Sequence, residues 1–381
     1  MKESIDKSNN SRFKEIRYIY YLIFLWLFSS LIHLLWYDSA YFYGYDLKRP
    51  LNYIEYFAIL YIMTSNIRNI KILERILLVY CFSVMCLIFL TYLKSLGIPI
   101  YGYERLTTKL IGPFTYGVTA IQRGGLDYSS WTLPIINIIM ISIVKKYPFN
   151  LPKIMLILIL PVIIFGIFLN GSRSTILAIN GSLIVSIYYL INYILQNKSI
   201  ARRYLRRLYL GVAFLIVFFL LIYSKDIFEI FASMRKHTAD QRLMGYSIGI
   251  ELITKSWNYF LFGAGKDHFI SMQSLFTKER LTTHNALLEE IVTDGIFGLA
   301  IMIILFVKIF RIAFKNIMLA KMYELNKLYV LSIVAIVSII SVLFEGVFGD
   351  IIASYSIWLM IGIIMSIYQI IRKYEIRNAQ K

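Results

Sequence analysis

Charged residues are scarce in this chain. They make up 16% of its 381 residues, whereas an average soluble domain has about 25%. Hydrophobic residues make up 59%, and the mean hydropathy is +0.66. Such a composition excludes a soluble globular protein. It predicts an all-α polytopic membrane protein, because a helix of about 20 apolar residues crosses a bilayer with its backbone hydrogen bonds satisfied internally.

Cysteine and histidine are also rare. Cys81 and Cys86 lie five residues apart in one apolar run, so they face different directions on a helix and predict no disulfide. The histidines are His33, His237, His268 and His284. No pair of them has the spacing of metal ligands, so we expect no metal site and no cofactor. The glycines at 263 and 265 lack the strand–helix context of a nucleotide loop, and we expect a turn there.

Acidic residues are outnumbered by basic ones. The chain has 40 Lys and Arg against 22 Asp and Glu, which gives a net charge of +18. This balance alone would be compatible with nucleic-acid binding. The cations, however, form short clusters between apolar runs, which is typical of membrane proteins and of contact with anionic headgroups. We therefore expect membrane lipid, and no nucleic acid, as a partner.

Ten apolar runs are candidates for membrane spans. They are residues 18–36, 50–65, 76–93, 128–144, 154–170, 174–195, 208–224, 288–310, 328–346 and 350–371. The second run is short and polar for a span, and no small-residue cleavage site follows the first. With ten spans, most Lys and Arg of the short connections fall on one side, which predicts that both termini are cytoplasmic.

These spans divide the chain into three predicted regions. Residues 1–224 form a bundle of about seven spans, residues 225–287 form a large outer loop, and residues 288–381 form about three spans. The loop mixes aromatic and charged residues, and its stretch 240–259 reads as a helix. We expect the loop to fold onto the membrane surface as a cap. The outer segment 94–127 is also longer than a simple connection.

His284 is a candidate for proton transfer. It ends the longest polar segment, just where an apolar run resumes, and an imidazole at a membrane surface can exchange protons near neutral pH. Alternatively, it only anchors or caps the end of the helix. The acids near the outer face are Glu251, Glu289, Glu290, Asp294, Glu345 and Asp350. Any of them could orient the imidazole, and the spacing selects none.

Arg173 is a candidate anion ligand. It lies in the tight turn 170–173 between two apolar runs, where a cation without a partner is unfavourable. Its planar guanidinium suits phosphate, and the following helix N-terminus would favour an anion as well. The alternative is that Arg173 reaches outward to lipid phosphate. Because no acid lies nearby in the sequence, we favour a bound anion.

Two further arginines lie in the outer loop. They are Arg242 and Arg280, the second four residues before His284. Each of them could be an ordinary solvated charge. Together with Arg173 and His284, however, they predict a pyrophosphate site. Arginines can stabilise a departing pyrophosphate without a metal, because their own charges compensate the one that develops.

The order and spacing of three motifs resemble the O-antigen ligase and polymerase superfamily of bacterial envelope proteins. The motifs are Gly171-Ser172-Arg173-Ser174, then Gln241-Arg242-Leu243 followed by Trp257 to Gly265, and His284-Asn285 separated by nine residues from Gly295-Ile296-Phe297-Gly298. The resemblance covers roughly residues 155–310.

This resemblance implies a metal-independent glycosyltransferase of the bacterial inner membrane with a large periplasmic loop. Its donor would be an oligosaccharide on undecaprenyl pyrophosphate. Carried over by position, Arg173, Arg242 and Arg280 would bind the pyrophosphate. His284 would act as a base or align the acceptor hydroxyl.

The superfamily contains polymerases, which extend another lipid-linked repeat unit, and ligases, which transfer the glycan to the lipid A core. We favour the polymerase, because a composition rich in Ile, Tyr, Lys and Asn indicates an AT-rich gene of the kind common in surface-polysaccharide clusters. A chain-length regulator is then a candidate partner. A transporter or flippase would show inverted repeats and midplane acids, and a glycan-binding scaffold would not need both Arg173 and His284.

Overall fold

A computed structural model describes residues 14–32, 44–100, 103–119, 128–145, 152–170, 235–274, 285–346 and 355–379. Within these ranges the chain forms eleven helices and one β-hairpin. The first five helices are α1 (Lys14–Ile32), α2 (Tyr45–Asn66), α3 (Ile70–Ser95), α4 (Tyr128–Lys145) and α5 (Lys153–Asn170). The others are α6 (Arg235–Thr254), α7 (Trp257–Phe262), α8 (Lys266–Ser274), α9 (Ala286–Met322), α10 (Asn326–Gly346) and α11 (Tyr355–Ala379).

Helices coincide with eight of the ten predicted spans. The remaining two, 174–195 and 208–224, lie outside the described residues. Five of the helices, α1, α3, α9, α10 and α11, are long and apolar enough to cross a membrane. The chain is therefore a helical membrane protein, as its composition predicts. The count of ten spans stays a prediction, and so does the division at residues 224 and 287.

The segment 94–127 contains structure that its sequence did not lead us to expect. Strands β1 (Tyr103–Ile111) and β2 (Phe114–Thr119) pair antiparallel, with Ile111 opposite Phe114. The turn between them is Gly112-Pro113, in which Gly112 has a φ of 57°. A glycine at the first central position supplies the positive φ that short hairpin turns need. The hairpin is thus a small exception to the all-α prediction.

Two helices occupy the stretch 240–259, where the sequence predicted one. Helix α6 ends at Thr254 and α7 begins at Trp257. Between them, the hydroxyl of Ser256 accepts a hydrogen bond from the Tyr259 N–H at 3.1 Å, so Ser256 starts a new helix as its N-cap. The predicted turn after Phe262 is confirmed: Gly263 and Gly265 have φ values of 85° and 83°.

The chain groups into two compact units. Helices α1, α2, α7, α8, α9 and α11 belong to one unit, and α4, α5 and the hairpin belong to the other. In the second unit, Phe114 of β2 packs against Phe165 of α5 with ring centroids 5.4 Å apart. The Asn137 side-chain amide also donates to the Ser341 hydroxyl at 3.0 Å.

Buried aromatic rings hold α1, α2 and α11 together in the first unit. The Trp26 ring lies 4.6 Å from Tyr53, and Tyr56 stacks on Trp358 at 4.8 Å with the two planes 9° apart. All four side chains are buried. Contacts of this kind favour one fixed arrangement of the three helices, because aromatic pairs are stabilised by the apolar area they bury and also by specific ring orientations.

The N-termini of α2 and α8 cap each other. Asp46 in the first turn of α2 accepts hydrogen bonds from the N–H groups of Lys266 at 2.6 Å and Asp267 at 3.3 Å. In return, Asp267 accepts one from the Gly44 N–H at 3.0 Å. Both carboxylates are buried. Each one satisfies N–H groups that a helix leaves free and complements the positive end of its dipole.

Replacing Asp267 with Ala should therefore lower the free energy of unfolding by about 0.5–2 kcal/mol, the usual effect of losing an N-terminal cap. Asp267→Asn keeps an acceptor oxygen and should lose less. Both can be measured as unfolding transitions in detergent micelles. An Asn variant that loses as much as the Ala variant would contradict the capping role of the oxygen.

Candidate functional site

The four residues predicted to form the site are only partly covered by the structure. Arg173, Arg280 and His284 lie outside the described residues. Arg242 lies on α6, but its side chain is also outside them. The predicted pyrophosphate site therefore stays a prediction. The structure describes residues close to it in the sequence, beginning with Asn285.

The residue after His284 starts the long helix α9. Asn285 is the N-cap of this helix, and its side-chain oxygen accepts hydrogen bonds from the N–H groups of Leu287 at 3.0 Å and Leu288 at 3.1 Å. Capping, which the sequence left open as an alternative role for His284, is thus performed by Asn285. His284, the candidate for proton transfer, directly precedes this cap in the sequence.

A buried ion cluster lies within the first turns of α9. Arg49 of α2 donates from Nη2 to Glu290 Oε2 at 2.5 Å and from Nε to Asp294 Oδ2 at 3.1 Å. Glu290 and Asp294 are four residues apart, so they share one face of the helix. The Arg49 side chain is 15% exposed, and the two acidic side chains are 1% and 0% exposed.

Two aromatic side chains complete the cluster. The indole N–H of Trp26 donates to Glu290 Oε1 at 2.5 Å. The Tyr53 hydroxyl accepts from Arg49 Nε at 2.9 Å and donates to Asp294 Oδ2 at 3.1 Å. The second carboxylate oxygen of Asp294, Oδ1, is buried and has no hydrogen-bond partner within the described part of the chain.

These contacts define what Arg49 can do. Its guanidinium is permanently charged, and both Nε and Nη2 are committed to carboxylates that are almost fully buried. A cation held in this way compensates buried acids, which are strongly unfavourable without a partner. Arg49 is therefore a positioning residue that ties α2 to α9, and not a free ligand for phosphate.

A second ion pair lies beside the first. The Lys266 ammonium at the start of α8 forms an ion pair with Glu289. Three of the acids that could have oriented His284, namely Glu289, Glu290 and Asp294, thus have basic partners. The sequence contained only a partial signal for this: acids at the start of an apolar run need buried cations, and Arg49 directly precedes the predicted span 50–65.

Helix α9 is interrupted at Gly295, where the backbone has φ 71° and ψ −175°. This conformation is accessible almost only to glycine. A Cβ atom at Gly295 would lie 2.3 Å from the Leu261 carbonyl oxygen, and one at Gly263 would lie 2.1 Å from the Thr293 oxygen. The Ala264 N–H donates at 2.8 Å to the carbonyl of Val292, which lies on α9 three residues before the interruption. The turn after α7 therefore packs backbone to backbone against the interruption.

This glycine contact joins two of the motifs noted in the sequence. The stretch from Trp257 to Gly265 and the stretch from Gly295 to Gly298 touch each other, and glycine is needed on both sides. A Cβ at Gly298 would likewise lie 2.4 Å from that of Asp294. The motif glycines thus have a structural explanation: Gly263 and Gly295 allow the turn after α7 to contact the beginning of α9, and Gly298 leaves room for the side chains of Asp294 and Ser29.

Together, these contacts fix the start of α9 to its neighbours. Asn285 caps the helix, the Arg49 ion cluster joins it to α2, and the glycine contact joins it to the turn after α7. Glu290 lies about 6 Å along the helix axis from Ala286, at 1.5 Å per residue. Such an arrangement can hold a catalytic group at the helix start in a fixed geometry, which is what proton transfer to a bound substrate requires.

Comparison with known proteins finds a family match that includes the start of α9. Residues 155–303 match a family model described as O-antigen ligase. The match includes positions 173, 242, 280 and 284 as well as the interruption at Gly295, and it confirms the resemblance to the O-antigen ligase and polymerase superfamily. Arg49 lies outside the matched range. A search of curated proteins finds no match.

Removing the cation of the buried cluster should destabilise the protein. Arg49→Ala leaves two buried carboxylates without their partner, and we expect the free energy of unfolding to fall by about 3–5 kcal/mol. Lys315→Ala is the matched control, because its ion pair with Glu15 is 37% and 41% exposed and should contribute about 0–1 kcal/mol.

Both variants can be compared by chemical unfolding in micelles. Adding Glu290→Gln and Asp294→Asn to Arg49→Ala should recover part of the loss, since no uncompensated carboxylate would remain. Equal and small losses for Arg49→Ala and Lys315→Ala would contradict the role assigned to Arg49.

The glycine contact can be tested in the same way. Gly295→Ala places a side chain in a backbone conformation that disfavours it by about 1–3 kcal/mol, and it adds a collision with the Leu261 carbonyl. Gly97→Ala is the control: its φ of 88° is also positive, but nothing lies within 4 Å of the added carbon. The unfolding free energy should fall more for Gly295→Ala, and equal losses would exclude a backbone contact at this position.

Proposed function

We propose that this chain, whose residues 155–303 match a family model described as O-antigen ligase, is a polymerase of a bacterial surface polysaccharide. It acts in the inner membrane, with both termini in the cytoplasm and the loop 225–287 in the periplasm. The donor is an oligosaccharide on undecaprenyl pyrophosphate, and the acceptor is a sugar hydroxyl of another lipid-linked repeat unit. The observation that carries the proposal is the family match, which spans all four predicted site residues.

The reaction needs a proton acceptor and a charge stabiliser. A hydroxyl oxygen of the acceptor attacks the anomeric carbon of the donor, and the bond from that carbon to the pyrophosphate oxygen breaks. The leaving undecaprenyl pyrophosphate keeps the electron pair, while His284 takes the hydroxyl proton or aligns the hydroxyl. Arg173, Arg242 and Arg280 compensate the charge that develops on the pyrophosphate, so the step needs no metal.

The described part of the chain supports this mechanism through the contacts of the helix that follows His284 in the sequence. That helix is capped by Asn285 and is joined to α2 by the ion cluster of Arg49 with Glu290 and Asp294. A small displacement of a catalytic group greatly reduces the rate, because reacting atoms must be held about 3–3.5 Å apart. In this mechanism the cluster contributes to catalysis by positioning the start of α9.

Two other functions remain alternatives. A ligase would use the same donor and the same residues, but it would transfer the glycan to the lipid A core. A flippase for lipid-linked sugar would move the donor without breaking its bond to pyrophosphate. Polymerase and ligase differ only in the acceptor, and a chain-length regulator would be a partner of the polymerase alone.

Surface polysaccharide from a deletion strain tests the proposal. We expect a gel of this material to show core with a single repeat unit, and a full ladder after complementation with the wild type. Arg173→Ala and His284→Ala should abolish the ladder at matched protein levels in the membrane. Lys236→Ala, which changes a cation of the same loop outside the predicted site, should leave it nearly unchanged.

The other outcomes separate the alternatives. Bare core with polymer accumulating on the lipid carrier would indicate a ligase. Loss of both ladder and lipid-linked material on the periplasmic side would indicate a flippase. A normal ladder in both alanine variants would contradict an enzymatic role for these residues.

A further inference from the structure

Helix α7 is not itself a candidate membrane span, yet it exposes large apolar side chains. Trp257 is 78% exposed, Phe260 is 37% exposed and Leu261 is 39% exposed, and none of the six residues of the helix is buried. The three side chains are related by three and four positions, so they share one face. In water, an apolar face of this kind marks a contact surface.

The opposite side of α7 is fixed to the protein. Tyr259 packs against a small core that includes Leu252, Phe269 and Val292, and the Phe262 ring lies 6.3 Å from that of Phe297 on α9. The backbone after Phe262 makes the glycine contact with the interruption of α9. The position of α7 along the axis of α9 is therefore fixed beside that interruption.

The interruption also divides α9 by polarity. Its acidic residues all precede Gly295, and the next charged residue is Lys308. Beyond the break, Phe297, Ile304 and Val307 follow each other along one exposed stripe of this candidate span. An exposed apolar stripe on a spanning helix faces lipid. The uncharged part of α9, residues 295–307, thus begins at the level at which α7 is held.

We propose that α7 lies in the interface of the lipid bilayer, with Trp257, Phe260 and Leu261 inserted among the upper acyl chains. The occupant of this face is bilayer lipid, because the contact of Phe262 with Phe297 holds α7 beside the exposed apolar stripe of α9. Tryptophan favours this depth, where its ring is in hydrocarbon and its N–H meets the headgroups. Exposed Lys255, just before α7, would face anionic headgroups.

The inference does not depend on the proposed enzymatic activity. It gives the glycine contact a second consequence: the start of α9 is held at a fixed depth relative to the membrane surface. Short amphipathic helices bind interfaces through this combination of an apolar face and neighbouring positive charge.

Fluorescence of the full-length protein in lipid vesicles tests the proposal. The difference in emission between the wild type and Trp257→Phe isolates Trp257, because the other tryptophans cancel and phenylalanine keeps the face apolar. We expect lipids brominated near the headgroup to quench most of this difference emission. Lipids brominated near the chain ends should quench it less, and water-soluble acrylamide should quench it weakly.

Either of two results would overturn the proposal. Strong quenching by acrylamide without quenching by brominated lipid would mean that α7 lies in water. A difference emission that neither agent quenches would mean that a protein surface covers Trp257. An unchanged unfolding transition for Trp257→Phe is the control that both samples are folded.

Discussion

The described part of the site depends on one buried interaction, the ion cluster between Arg49 and the acids Glu290 and Asp294. Two carboxylates at the start of an apolar helix would be strongly unfavourable without a cation. Within the cluster, the positive charge is supplied by the guanidinium of Arg49, whose Nε and Nη2 lie 2.5–3.1 Å from the acidic oxygens. This contact fixes α2 against α9 and keeps the start of α9 in place.

The glycine contact adds a second constraint of a different kind. Where Arg49 holds α9 by charge, Gly263 and Gly295 hold it by allowing two backbones to approach more closely than side chains permit. Both constraints act on the ten residues that follow Asn285. His284 directly precedes that cap in the sequence, so both constraints act on the helix that follows the candidate catalytic residue.

Much of the fold was predictable from the sequence, because apolar runs of about 20 residues can only be buried or spanning helices. The short hairpin was not foreseen, although Gly112-Pro113 is a turn signal. Arg49 was missed as well. It contacts Glu290 from 241 positions away, and no local pattern connects the two. The motif glycines were visible in the sequence, but their contact with each other is tertiary and could not be read from spacing.

The most direct test of the proposed activity is a reaction with purified components. Wild-type protein in lipid nanodiscs would be supplied with undecaprenyl-pyrophosphate-linked repeat units in the presence of a metal chelator. The account predicts longer lipid-linked glycans and release of one undecaprenyl pyrophosphate for each bond formed, with neither product in His284→Ala. A donor that remains intact although the wild-type protein is folded would contradict the account. It would do so most clearly if the same protein in lipid vesicles moved the intact donor across the bilayer.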